Sequence, residues 1–241
     1  MAAKGRPTKR ASRPRAAART TPTRDRRAAK RRDDTPRNVA AELQHRVNNI
    51  LATVRAILGQ TRDTAATLED FVEAFDGRLS ALARSHMLLT RGIDSHVDLH
   101  ELLTDELIAH AARIGETVIV SGPKIWLTPT AAEMMAVAFH ELATNAVKYG
   151  ALATPDGHID VGWRVDSKRA GRQLTLRWRE DGVRLERTVD HRGFGTELVE
   201  EGLPYTFGGA ARLHYRQDGL ECVMQFPLRP QHFILAAGGA T

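Results

Sequence analysis

FHELATNAVKYG, residues 139–150, combines apolar residues at helical spacing with a closing glycine. It predicts the end of one long helix, Ala131 to Tyr149, stopped by Gly150, because glycine is favoured just past a helix C-terminus. At about 100° per residue, Glu141, Asn145 and Lys148 fall on one face of that helix. Carboxylate and amide oxygens suit a hard cation such as Mg²⁺, and an ammonium meets phosphate as a point charge. A solvated helix face also carries such residues, so on their own these three leave both readings open.

Toward the C-terminus, apolar residues alternate in four segments, which predicts strands at His158 to Val165, Gln173 to Glu180, Ala210 to Arg216 and Leu220 to Phe226. A short helix, Thr196 to Leu203, is expected between the second and third. Two stretches there carry glycine: WREDGV, residues 178–183, with Gly182, and RGFGTELV, residues 192–199. Gly193 and Gly195 precede the short helix, with Thr196 as its N-cap, and the free N–H groups of such a start suit a phosphate. Glu180, at a strand end, is a candidate acceptor for an adenine amino group. Turns use glycine in any case, and neither a P-loop nor a Rossmann string occurs. On the other side of the long helix, Leu99 to Arg113 reads as a helix. Thr117 to Ser121 and Ile125 to Leu127 read as short strands around a Gly122-Pro123 turn. Strands beside helices in this order predict an α/β sandwich with helices on one face of a mixed sheet. Trp126, Trp163 and Cys222 read as packing residues.

Further upstream lie two amphipathic stripes. Leu43, Val47, Ile50, Leu51, Val54, Ile57 and Leu58 form the first, which Gly59 and the polar run to Thr64 are expected to end. Leu68, Phe71, Val72, Phe75, Leu79, Leu82 and Leu89 form the second. Together they predict an antiparallel hairpin whose two stripes need a second copy, giving a homodimeric four-helix bundle. His45 lies opposite the first stripe, beside Glu42 and Asn49, and a neutral imidazole nitrogen is a competent nucleophile. By itself, an exposed histidine is an ordinary surface residue.

Composition sets the outer bounds. With 42% hydrophobic and 27% charged residues in 241, a core can form and wholesale disorder is excluded. One cysteine excludes an internal disulfide framework and a cysteine-clustered metal site. No apolar run approaches the ~18 residues of a membrane span and no apolar stretch marks a secretory signal, so a cytoplasmic protein is expected. The net charge of +6 hides an asymmetry: residues 1–38 hold 14 Lys and Arg against 3 Asp, a net +11, and the remainder is −5. This basic tail lacks large apolar residues and reads as disordered, a tether able to contact an anionic surface. Without aromatics it offers no base stacking.

The order ELQHRVNN, FHELATNAVKYGAL, WRE, RGFGTELVEEGL resembles the HWE family of bacterial sensor histidine kinases. That family is named for residues seen here, His140 in the asparagine box and the Trp-x-Glu of Trp178 and Glu180. The resemblance runs from about Ala41 to Leu228. It implies an α+β chain: a dimerisation and histidine-phosphotransfer hairpin (39–95) after the tail (1–38), then a GHKL or Bergerat-type ATP-binding domain (96–230) and a C-terminal tail (231–241). It implies His45 as phosphoacceptor and Asn145 as Mg²⁺ ligand. ATP would bind through His140, Asn145, Lys148, Tyr149, Trp178, Glu180, Gly182, Gly193, Gly195 and Thr196, with Glu180 at the adenine. Where the family continues Trp-x-Glu with x-Gly-Gly-Pro, this chain has Asp181-Gly182-Val183-Arg184. The tail before the hairpin is too short and too polar to read as a sensor, so the input is expected from a separate sensor protein.

Two functions are compatible with this. In the first, a two-component histidine kinase phosphorylates His45 from Mg-ATP and passes the phosphoryl group to an Asp of a response-regulator receiver domain. Lys148 offsets phosphate charge, and Glu42 or Glu141 takes the imidazole proton. In the second, a non-enzymatic phosphotransfer protein or scaffold keeps the hairpin beside a decayed nucleotide site. Retention of Glu141, Asn145 and Lys148 together favours the kinase.

Overall fold

The computed structural model describes residues 44, 47–91, 96–110, 112–169, 171–183 and 193–236. The chain divides into two units, Met1–Ala52 and Thr53–Thr241. In the first, residues 44 and 47–52 are helical and Gln44 donates to Asn48 Oδ1 at 3.2 Å. His45, Glu42 and the basic tail lie outside the described residues.

The second unit opens with helix α1, residues 53–64. Gly59 does not end it: Ile57 and Thr61, on either side, are both buried, and this packing outweighs the ~1 kcal/mol glycine penalty. Helix α2, Leu68–Arg91, starts on a capping pair, since the Asp70 amide donates to Thr67 Oγ1 at 3.1 Å and Thr67 Oγ1 donates to the Asp70 carboxylate at 2.8 Å. Its second half is buried through Ala81, Leu82, Ser85, Leu88 and Leu89.

Then follow β1 (Val97–Asp98), α3 (Leu99–Ala109), β2 (Val118–Ser121), β3 (Ile125–Leu127) and α4 (Pro129–Lys148). After α4 come β4 (His158–Lys168) and β5 (Gly171–Asp181), the short helices α5 (Phe194–Glu197) and α6 (Leu203–Phe207), then β6 (Ala210–Arg216), β7 (Gly219–Pro227) and β8 (Phe233–Leu235). A five-stranded sheet has the order β2-β4-β5-β7-β6, parallel only between β2 and β4. A second, antiparallel sheet has the order β1-β3-β8.

The period of two decides what faces inward. Ile159, Val161 and Trp163 of β4, Leu174, Leu176 and Trp178 of β5, and Leu220, Cys222, Met224 and Phe226 of β7 are all buried. They share one core with the alanine-rich face of α4, where Ala132, Ala136, Ala143 and Ala146 keep the helix close to its neighbours. Burial pushes the Cys222 thiol well above its ordinary pKa, which makes it an inert core residue.

Several expectations change. Helix α3 stops at Ala109 rather than Arg113, with His110 as its C-cap. The strands flanking Gly122-Pro123 do not pair with each other: β2 joins β4, while β3 lies between β1 and β8. Strand β8 lies in the segment read as a C-terminal tail, held there because Phe233 is buried against Phe207 and Phe226. Helix α5 begins at Phe194, not Thr196: Gly193 is the N-cap and Thr196 lies within the helix, because Phe194 is a buried anchor. From Leu198 to Gly202 the helix widens into a π turn; the Leu203 amide reaches back to the Leu198 carbonyl, and Pro204 has no N–H to donate.

Candidate functional site

Glu180 continues the inward row of β5 past Leu174, Leu176 and Trp178, so the strand's own alternation carries a carboxylate into the core. It is 1% exposed. Two donors meet it. The Trp178 indole N–H, on the same face two residues earlier, donates to Glu180 Oε1 at 3.0 Å. The Ala151 amide, in the turn after α4, donates to Oε2 at 2.9 Å. Burial raises the Glu180 pKa, and these two bonds offset part of that shift. The position of Gly150 follows. Its φ of −116° is not left-handed, so it does not act as a helix-ending glycine of the expected kind. A Cβ there would lie 2.0 Å from Glu180 Oε2 and 2.8 Å from Ala146 Cα, and only glycine leaves room for the carboxylate. Gly182, at φ +81°, passes against the Asp156 carbonyl, where a Cβ would lie 2.5 Å away.

Helix α4 supplies the second part. Glu141, Asn145, Lys148 and Tyr149 follow one another along its outer side, the first two half-buried and the last two exposed. Gly195 of α5 approaches Glu141 so closely that a Cβ would lie 2.9 Å from Glu141 Cβ. Glu141 itself is held by α2: Arg78 Nε donates to Oε1 at 2.7 Å and Nη2 to Oε2 at 3.3 Å. Lys148 Nζ donates to Glu73 Oε1 of α2 at 2.8 Å, a bond that raises the lysine pKa. Glu141, expected at the cation or as proton acceptor, and Lys148, expected at phosphate, are therefore both paired to α2 in this structure.

His140 and Trp178 are placed differently from the expected ligand contacts. Trp178 is fully buried and meets the site only through Glu180. His140 turns toward α2 and α3: its Nδ1 lies 2.9 Å from Glu106 Oε1, and a Cβ on Gly77 would lie 2.7 Å from its Nε2. An ionised carboxylate only accepts, so Nδ1 carries the hydrogen. Arg84 of α2 grips both Glu106 oxygens, at 2.6 and 2.7 Å from Nη2. His110 joins through Nε2 to Thr144 Oγ1, at 3.1 Å. Ligand atoms of Glu106, His110 and His140 lie within 4.8 Å of one another, but the guanidinium already occupies the carboxylate, which makes this an ion-pair network rather than a metal centre.

Burial raises the Glu106 pKa, but the hydrogen bonds and charges of His140 and Arg84 more than offset it, holding the carboxyl below its ordinary value. A depressed carboxylate stabilises the fold above its unfolded pKa, and the contribution is lost as pH falls through the folded value. Glu106→Gln is therefore expected to cost roughly 1–3 kcal/mol at neutral pH and to flatten the acid limb of a stability-versus-pH curve. An unchanged limb would show that Glu106 does not drive acid unfolding.

The sequence reading singled out neither Arg78 nor Glu106. Arg78 had a signal: it stands one turn after Phe75 on an apolar stripe, next to an unexplained mid-helix glycine, Gly77. Glu106 had none, since a glutamate in a helix is ordinarily exposed.

Residues 42–124 match the family model described as HWE histidine kinase. The chain is 34% identical over 206 residues to Blue-light-activated histidine kinase 1 of Erythrobacter litoralis, covering 83% of this chain and 56% of that one. It is 29% identical over 195 residues to a blue-light-activated histidine kinase of Brucella anthropi, covering 81% and 40%. The chain thus spans about half the length of the curated relatives it matches. Its fold is similar to that of the histidine kinase domain from the Erythrobacter litoralis EL346 blue-light activated histidine kinase, at a TM-score of 0.54 and 18% identity over 79% of this chain and 91% of that one.

Proposed function

Because residues 42–124 match the HWE histidine kinase family model and the chain is similar over most of its length to a blue-light-activated histidine kinase, we propose that it moves the γ-phosphoryl group of ATP to His45 and from there to an aspartate of a response-regulator receiver domain. A neutral His45 nitrogen attacks the γ-phosphorus; the P–N bond forms as the bond to the β–γ bridging oxygen breaks, and ADP leaves. The imidazole proton passes to Glu42 or Glu141. In the second transfer an aspartate oxygen forms the P–O bond, the P–N bond breaks, and His45 is restored.

The observation that carries this reading is the alignment along α4. Glu180 meets the helix at Gly150, and Gly195 meets it at Glu141. Nine positions separate the two points, most of them within α4, a span of roughly 10–14 Å at 1.5 Å per helical residue. A buried carboxylate acceptor at one end and a glycine turn with acid, amide and ammonium at the other suit a nucleotide with its base at Glu180 and its phosphates along Asn145 and Lys148. Glu141 and Asn145, one turn apart, would form a hard-oxygen donor set that fits Mg²⁺ once Arg78 leaves the Glu141 carboxylate. Mg²⁺, when bound, offsets phosphate charge. The test is self-labelling from γ-labelled ATP. An acid-labile, base-stable bond is expected, and no labelling alongside intact nucleotide binding would favour a scaffold.

The hairpin reading extends to assembly as a homodimer. Leu58 of α1 and Leu68, Val72 and Leu79 of α2 are exposed apolar residues, a face a second hairpin would cover. Val72→Asp is expected to convert the dimer to a monomer in light scattering. Since Val72 is 55% exposed, protomer stability should stay within about 0.5 kcal/mol. A monomeric parent protein would overturn the assembly. Among the described residues no helix is long and apolar enough to cross a membrane.

A further inference from the structure

Arg78 of α2 reaches three other elements at once. Its guanidinium is paired to Glu141 of α4, donates from Nη1 to Thr61 Oγ1 of α1 at 2.6 Å, and lies with its central carbon 3.7 Å from the ring centroid of Phe194 in α5. The side chain is 7% exposed and its partner carboxylate 12%. Five residues earlier on α2, Glu73 holds Lys148. One helix of the hairpin thus engages both charged α4 residues at which the nucleotide reading puts phosphate and cation, and it does so beside Gly195.

Resting on that reading, we propose that the Arg78–Glu141 pair is a latch, through which α2 competes with Mg-nucleotide for the α4 face and couples the position of the hairpin to nucleotide occupancy. The physical case is one of exclusive partners. A carboxylate whose two oxygens accept a forked guanidinium is neutralised and directionally committed, so it serves neither a cation nor an imidazole proton until Arg78 leaves. Arg78 does not leave as a side chain alone: Thr61 and the Phe194 ring fix the guanidinium, and Gly77 lets α2 sit directly against His140. Release therefore moves α2. Glu73 and Arg78 both belong to α2, so a movement of that helix would exchange both pairs together. When only the released fraction binds, the apparent dissociation constant is the intrinsic one divided by that fraction, so loosening the latch tightens binding.

The experiment measures Mg-nucleotide affinity of the full chain with a non-hydrolysable ATP analogue, together with amide hydrogen exchange along α2. Thr61→Val keeps the shape of a fully buried residue and removes the hydrogen bond that fixes Arg78. It is expected to tighten the analogue roughly fivefold, the share of one hydrogen bond. Arg78→Gln should tighten it further, and the analogue should accelerate exchange over residues 73–82 in the parent protein. A merely structural role for Arg78 would weaken binding as the fold loosens, so the sign separates the two. Weaker binding by Arg78→Gln, or parent-like affinity in both variants with unchanged α2 exchange, would overturn the latch and leave the nucleotide site standing. Absence of binding in the parent protein with recovery in the variants would support the latch. Absence of binding in all three folded proteins would overturn both the latch and the nucleotide reading.

Discussion

Replacing His45 with alanine is expected to abolish self-labelling from γ-labelled ATP, a loss limited only by the detection floor, with nucleotide affinity unchanged. The expectation follows from chemistry rather than from a contact. Alanine has no side-chain nitrogen to form the P–N bond, and nothing else in the ELQHRVNN stretch supplies an imidazole. Retained labelling would move the acceptor to another histidine. His86 of α2 is the alternative on the hairpin, but it lies 3.1 Å from Glu133 and is only partly exposed. A His45→Ala protein that loses both labelling and nucleotide binding would indicate a folding defect, which a thermal melt separates.

The second large effect belongs to Glu180. Glu180→Ala leaves the Trp178 indole and the Ala151 amide without acceptors in a site that is 1% exposed. Each orphaned donor costs about 1–3 kcal/mol, and the removed volume adds to that. The same carboxylate is the proposed adenine acceptor, so nucleotide affinity should fall by roughly tenfold to 150-fold, the equivalent of a charge-assisted hydrogen bond. Glu180→Gln sharpens the test. Glutamine keeps the volume but presents one acceptor oxygen to two N–H donors, so either the tryptophan or the turn after α4 must shift. Because burial raises the Glu180 pKa, the charged form costs stability, and this contribution becomes less favourable as pH rises through the folded pKa. Glu180→Gln should therefore lose least, relative to the parent protein, at high pH. Parent-like affinity in both variants would remove Glu180 from the adenine position.

The parts legible in the sequence were those with long, regular patterns. Helix α4 and strands β4, β5, β6 and β7 carry uninterrupted periods of 3.6 or 2 and appear close to where they were expected. Strands β1 and β8, with two and three residues, are too short to show a period, and their pairing to β3 joins residues far apart in sequence. The face of α4 was legible from spacing alone. What occupies it was not, since Arg78 and Glu141 stand 63 positions apart and no local pattern couples them. From the sequence Gly150 reads as the glycine that closes the long helix, but the need it meets is set by a carboxylate on strand β5. His140 and Trp178 were recognisable as motif residues, yet their motif positions carried no information on whether they touch a ligand or hold the groups that do.

Strand β8 has a consequence for how the protein is made. Among the described residues, the side of β3 away from β1 is closed by Phe233–Leu235, and Phe233 also packs on the rings of Phe207 and Phe226. A ribosome will have finished the hairpin, α4 and the whole five-stranded sheet before these residues exist. A chain lacking them would expose an unpaired strand edge beside an aromatic cluster, the kind of surface chaperones recognise. A message truncated shortly before codon 233 would therefore yield a chain that carries every motif of the site but is an aggregation hazard.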